Sequence, residues 1–214
     1  IKPHLIEQWR IERKAKGNSN ATINRQICNL QSCLSRAVEW EVIEKHELNK
    51  IKRLPEDNSK VRYLSKVEEK ALRATMRERD ARIKQERMNG NKHRSERSYV
   101  LLPCLSQRTF ADHLEPIVLL AMNTGMRRGE ILSLRWDNVN FDTKTLTVLF
   151  ENAKSGKTRH IPLNGEAFRT LQSWQADTDD KGIVFKGQGG NAMTDIGKGW
   201  DKLLEDAGIT KFRF

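Results

Sequence analysis

The chain has 214 residues, with 39 lysines and arginines against 28 aspartates and glutamates, a formal net charge of +11. Hydrophobic residues make up 37% and charged residues 31%, enough apolar material to bury a core in one large domain or two small ones. The positive excess points to a polyanionic partner, most often nucleic acid; a well-solvated basic surface without such a partner is the plain alternative. Cys28, Cys33 and Cys104 are odd in number and show no CxxC spacing, which argues against a disulfide framework and a zinc site and suits reduced thiols. No apolar run approaches the roughly 18 residues of a membrane span, and no signal-peptide pattern opens the chain. A cytoplasmic protein with no membrane partner is expected. The sequence starts at Ile1 without a methionine, which suggests a piece of something longer.

In chain order, residues Pro3 to Lys16 read as a helix with Pro3 in its first turn. Gly17 to Asn20 supply a stop, a turn and a new cap. A second helix is predicted from about Ala21 to Trp40, because Ile23, Ile27, Leu30, Leu34 and Val38 recur at spacings of three and four. Residues 51–62 carry no pattern and read as a polar linker. Ser65 and Glu68 form a capping box, and the helix they open runs into a basic stretch that includes Arg73, Arg77, Arg79, Arg82, Lys84 and Arg87. That stretch suits a solvated face with i,i+4 ion pairs as well as a phosphate-facing surface. Asn89-Gly90-Asn91 is expected to end it. An apolar helix follows at His113 to Met122, broken by Thr124-Gly125, and another from Arg127 to Leu134. Strands are predicted at Thr145 to Phe150 and Thr158 to Leu163, with a short one at Gly182 to Phe185. Asn164 caps a further helix, and Thr194 is expected to open the last. The predicted fold is α+β and predominantly helical, with a small antiparallel sheet.

Lys154-Ser155-Gly156-Lys157-Thr158 ends like a phosphate loop, but that motif needs glycine at position 151, where Glu151 stands, and a helix after the loop. The five histidines show no metal-ligand spacing, and Asp179-Asp180 sits in a polar loop. Neither a nucleotide site nor a metal or other cofactor is expected. The arginine pair is more informative. Gly125 permits a sharp turn, and Arg127 then opens a helix, where the positive end of the dipole and free N–H groups suit a bound phosphate better than a resting arginine. Glu130 lies one turn on and can orient a basic neighbour; a solvated Arg-Arg pair is the bland alternative.

With those residues in view, the chain resembles the tyrosine recombinase, or phage integrase, family over most of its length. TGMRRGEIL looks like the family's first catalytic box, and AKSGKTRHIPL looks like the hairpin that carries its catalytic lysine. The resemblance implies that Arg127 is the first catalytic arginine, Glu130 the acidic residue three positions on, and Lys154 the catalytic lysine, with Lys157 the second choice. It implies that 1–50 is the end of a helical core-binding domain, 51–62 the connection and 63–214 part of the catalytic domain. Double-stranded DNA at a recombination site is the implied partner, with Arg10, Arg25, Arg36, Arg128, Lys157 and Arg159 as the expected DNA-binding set. The whole protein is expected to act as a tetramer on DNA, and this piece to be monomeric. The family pattern continues with a His-x-x-Arg box and a distal tyrosine. No histidine here has an arginine three residues later, and Tyr63 and Tyr99 both precede Arg127. The expectation is a fragment that binds DNA but does not cleave it. The alternative is a non-catalytic DNA-binding regulator of the same descent.

Overall fold

The computed structural model describes residues 2–56, 62–152, 156–178 and 181–214. It divides into two compact units, Ile1–Val61 and Arg62–Phe214. The first is a helical pair, α1 (Pro3–Ala15) and α2 (Asn20–Glu39). Pro3 sits at the start of α1, where its missing N–H costs nothing. The Ser19 hydroxyl accepts from the Thr22 N–H and caps α2. The apolar stripe of α2 closes on α1: Ile6, Ile23, Ile27 and Leu48 are buried, with Trp9, Leu30 and Leu34 packed against them. Residues 51–56 have no regular structure, and they are fastened down; residues 57–61 of the expected linker lie outside the described residues. The buried Asn24 amide donates to the Leu54 carbonyl at 2.9 Å and accepts from the Leu54 N–H at 2.9 Å. Ile51 and Leu54 pack on the same small core.

The second unit starts with α3 (Lys66–Glu96), opened by the Ser65–Glu68 capping box. At 31 residues it is roughly 46 Å long. The expected stop at Asn89-Gly90-Asn91 is absent, because the helix continues through it. Its side chains serve the loop that follows. Asn91 donates to the Leu102 carbonyl at 2.8 Å and accepts from the Leu102 N–H at 2.9 Å; Arg87 donates to Pro103 and Arg94 to Val100. Tertiary hydrogen bonds here outweigh the roughly 1 kcal/mol by which glycine disfavours a helix interior.

The core of this unit is built on α4 (Leu114–Thr124), apolar nearly all round, which lies against α6 (Gly165–Thr178). Pro116 falls in the first turn of α4, where proline is tolerated. Asn164 accepts from the Ala167 N–H at 2.9 Å and caps α6. α7 (Gly197–Asp206) packs across α3. It starts three residues later than the Thr194 expected. Gly199 puts backbone close to the Leu114 side chain, 3.4 Å from where a Cβ would stand. The sheet is antiparallel in the order β1 (Val139–Asn140), β2 (Thr145–Val148), β3 (Arg159–Pro162). Leu146 pairs with Ile161, and Val148 with Arg159. Leu146 and Val148 are buried, so this face of the sheet joins the core with Ile117, Leu120, Ile131, Leu171, Phe185 and Leu203. The expected strand at Gly182 to Phe185 is reduced to one bridge, Arg135 to Ile183, because its partner residues lie between two helical turns and offer no longer edge. Asp179 and Asp180 lie outside the described residues.

Asn91→Ala removes both ends of the tie to Leu102, worth about 1 kcal/mol locally. Amide exchange at 91–103 is expected to speed roughly fivefold, with the global melting temperature shifted by no more than about 2 °C. Hydrogen exchange read by mass spectrometry checks this; unchanged protection there would refute the tie.

Candidate active site

The site forms where α4 ends. Gly125 adopts a left-handed conformation (φ 63°), open to glycine at little cost, and turns the chain out of the helix. The last turn of α4 is braced from two sides. The Asn123 amide donates to Glu166 at 2.8 Å and accepts from Asn164 at 2.7 Å, and Glu166 holds Arg73 at 2.6 and 2.9 Å. α3, α4 and α6 are thereby tied at one point. Met126 is buried, and the chain emerges at Arg127 in extended conformation (φ −70°, ψ 150°).

α5 (Arg128–Leu132) follows and is only five residues long, shorter than the span to Leu134 expected. One turn has little macrodipole, and the N–H of Arg127 is not left open to a ligand: it donates to Glu130 Oε2 at 2.8 Å. The expected reason for an arginine here, a helix end seeking an anion, is therefore replaced. A carboxylate holds the arginine. Glu130 Oε1 accepts from Arg127 Nη1 at 3.1 Å and from Arg159 Nη1 at 3.0 Å, and Oε2 accepts from Arg159 Nη2 at 2.6 Å. The Glu130 side chain is 1% exposed, that of Arg159 35% and that of Arg127 56%. Arg159 reaches Glu130 because the register sets it beside Val148, on the inner face of the sheet with Ile161; a slip of one residue would turn it to the other face.

Bidentate pairing with Arg159, then the backbone and side-chain bonds from Arg127, hold the Glu130 carboxyl down at about 2. The same pairing raises Arg159 above its ordinary value. Two arginines share one carboxylate, so one positive charge remains over, and the more exposed guanidinium is that of Arg127. Such a group can hold a single phosphodiester oxygen pair.

The other expected residues scatter. Arg128 pairs with Asp195 ahead of α7 at 2.8 Å, both half exposed, a link worth at most about 1 kcal/mol. Lys157 is exposed beside Gly156. Lys154 lies outside the described residues. In the first unit Arg25 is exposed on α2, and Arg36 is exposed with Glu39 at 3.4 Å and the Trp40 ring at 5.8 Å. Arg10 differs from what a phosphate contact requires: it is 7% exposed, and its guanidinium donates to Glu7 at 2.6 Å and to the Lys52 carbonyl. Its charge is directed inward, pinning residue 52 to α1. Asn123, Asn164, Glu166 and Arg73 were not anticipated as supports of the site, and separations of 43 and 93 residues leave no spacing signal. Among the described residues no group of three or more histidine, cysteine or acidic side chains gathers as metal ligands, and no helix is long and apolar enough to cross a membrane.

The second unit thus combines a helical body and a small antiparallel sheet with an exposed arginine held by the acidic residue three positions on. The sequence model of the phage integrase family matches residues 101–214. The chain belongs to the phage integrase family. A putative integrase/recombinase of Haemophilus influenzae is 29% identical over 176 residues, covering 80% of this chain and 40% of that protein. Tyrosine recombinase XerC of Xanthomonas campestris is 34% identical over 77 residues, 35% of this chain and 23% of its own length. Among solved structures, the Tn1549 transposon integrase in complex with circular intermediate DNA matches 97% of this chain and 64% of its own, with a TM-score of 0.61 and 19% identity, a likeness of fold. The chain spans half or less of the length of the curated relatives it matches.

The low Glu130 value carries a sign. A carboxylate with a folded pKa below its unfolded value of about 4.3 adds stability that is complete above that value and is lost as pH falls towards 2. Glu130→Gln is expected to cost on the order of 1–2 kcal/mol at pH 7, discounted for the solvent around both arginines. The parent and variant should converge as pH drops from about 5 to 2. Denaturant melts across that range check it; a difference that stays constant to pH 2 would refute the ionised clamp.

Proposed function

We propose that this chain is the DNA-handling part of a tyrosine-type site-specific recombinase, which cuts and rejoins double-stranded DNA through a 3′-phosphotyrosyl link. The observation that carries the proposal is the Arg127–Glu130–Arg159 constellation, an exposed arginine fixed by a buried carboxylate with one positive charge in excess. A net charge of +11 supports the same partner. In this reading Arg127 donates to the non-bridging oxygens of the scissile phosphate and stabilises charge that grows there as a tyrosine hydroxyl attacks phosphorus. The bond from phosphorus to the 5′-oxygen breaks, and Lys154 gives that oxygen its proton. Residues 1–50 act as the end of a core-binding domain and 63–214 as part of the catalytic domain. Arg25, Arg36, Arg128 and Lys157 are proposed as phosphate contacts.

The residues after Arg127 include no tyrosine and no His-x-x-Arg box. As a 214-residue chain it is therefore proposed to bind DNA without cutting it, as a monomer, whereas the whole recombinase would assemble as a tetramer on paired sites in the cytoplasm of a bacterial or phage-infected cell. The alternative reading is a DNA-binding regulator of the same descent without strand transfer, which the same basic charge would serve. The coding sequence after codon 214 separates them: a His-x-x-Arg box and a distal tyrosine support the recombinase, and a stop codon supports the regulator.

Two measurements test the proposal. Affinity of the chain for duplex DNA is expected to fall with salt, with a log–log slope of about −0.9 per phosphate neutralised; a salt-independent affinity would count against it. In a longer gene product carrying the tyrosine, Arg127→Ala is expected to slow covalent trapping on a nicked suicide duplex on the order of a hundredfold or more. Trapping at the parental rate would remove Arg127 from the chemistry.

A further inference from the structure

We propose that Arg159 is a positioning residue that takes up the charge of Glu130 and so leaves the charge of Arg127 available to a DNA phosphate; this rests on the recombinase reading above. Sequence position alone makes Arg159 one more basic residue on a hairpin, suited to touch DNA itself. Its geometry is different. Both terminal nitrogens face Glu130, at 3.0 and 2.6 Å, in the parallel fork that arginine makes with a carboxylate. Arg127 makes one side-chain bond to the same carboxylate, at 3.1 Å. Arg127 is also the more exposed of the two.

The consequence is electrostatic. A carboxylate beside Arg127 alone would form a neutral pair, and an arginine already neutralised attracts a phosphate weakly. With Arg159 present the trio carries a net positive charge, and the longer, single bond to Arg127 is the one that a phosphate can relax. Glu130 then acts as a strut: its backbone and side-chain bonds fix the direction of Arg127, while its charge is balanced from the strand. The hairpin that carries Lys154 in sequence is in this way coupled to the turn that carries Arg127, through β3 and α5.

Compensation distinguishes this role from direct contact. The Arg127 side-chain resonance in nitrogen-15 NMR spectra of the full chain is followed during titration with a 16-base-pair DNA duplex. Arg159→Met is expected to weaken the Arg127 response about tenfold. Arg159→Lys, which keeps the charge without the fork, should stay within about threefold of the parent. The decisive variant is Glu130→Gln with Arg159→Met: removing the carboxylate charge should restore the response to within about threefold. If Arg159 touched phosphate, or merely propped the fold, the double variant would remain as weak as Arg159→Met or weaker, and the proposal would be overturned. The double and Arg159→Lys variants keep the test open should Arg159→Met fail to fold. An Arg127 resonance in the parent that ignores DNA would sink the recombinase reading of the site and this inference with it. A parental response without recovery in the double variant would sink the inference alone.

Discussion

The second unit turns on a buried carboxylate. Glu130 lies under the turn after α4 with both oxygens occupied, by the Arg127 backbone and side chain and by the Arg159 fork. A carboxylate so far from water is costly unless paired, and removing one partner of such a group typically costs several kcal/mol. The fold meets that demand from two elements distant in sequence. α5 provides Glu130 and the register of the hairpin provides Arg159. Neither α5, at five residues, nor a three-stranded sheet of short strands would hold a side chain steady alone.

Around that carboxylate the unit adds bracing of the same kind. Glu166 accepts from Asn123 and from Arg73, and so fixes the last turn of α4 to α6 and α3 just before the chain bends at Gly125. The apolar core beneath is continuous from α4 through the inner face of the sheet to α7. Arg127 thus follows a braced turn with its guanidinium half exposed, the arrangement that its proposed electrostatic role asks of a donor that does not reorganise as charge develops. The small first unit uses a polar strap instead. Asn24 and Arg10 secure residues 52–54 to its helix pair.

Much of this was readable beforehand. The stripe at Ile23, Ile27, Leu30 and Leu34 announced α2, the Ser65–Glu68 box announced α3, and alternation announced β2 and β3. Three departures from local expectation share a cause. α3 runs through Asn89-Gly90-Asn91 because Arg87, Asn91 and Arg94 around it donate to carbonyls of the loop at 100–103. The segment at Gly182 to Phe185 makes a single bridge because its neighbour, between two helical turns, has no longer edge to offer. Arg10 is turned inward by a carbonyl 42 residues away. Proline apart, local propensity is worth about 1 kcal/mol per residue at most, and contacts with other segments override it.

By itself the sequence determined the basic charge, the helices with strong periodicity, the hairpin, and the Thr-Gly turn that delivers Arg127 with Glu130 one turn behind it. Those features depend on neighbours within a few residues, where spacing and backbone preference decide the outcome. Only the tertiary structure decided what Glu130 and Arg159 do. The pairing of a buried carboxylate with an arginine 29 residues on depends on strand register and on which face of the sheet is covered. Those are properties of the assembled core, and they made an apparent surface cation the ion-pair partner of Glu130.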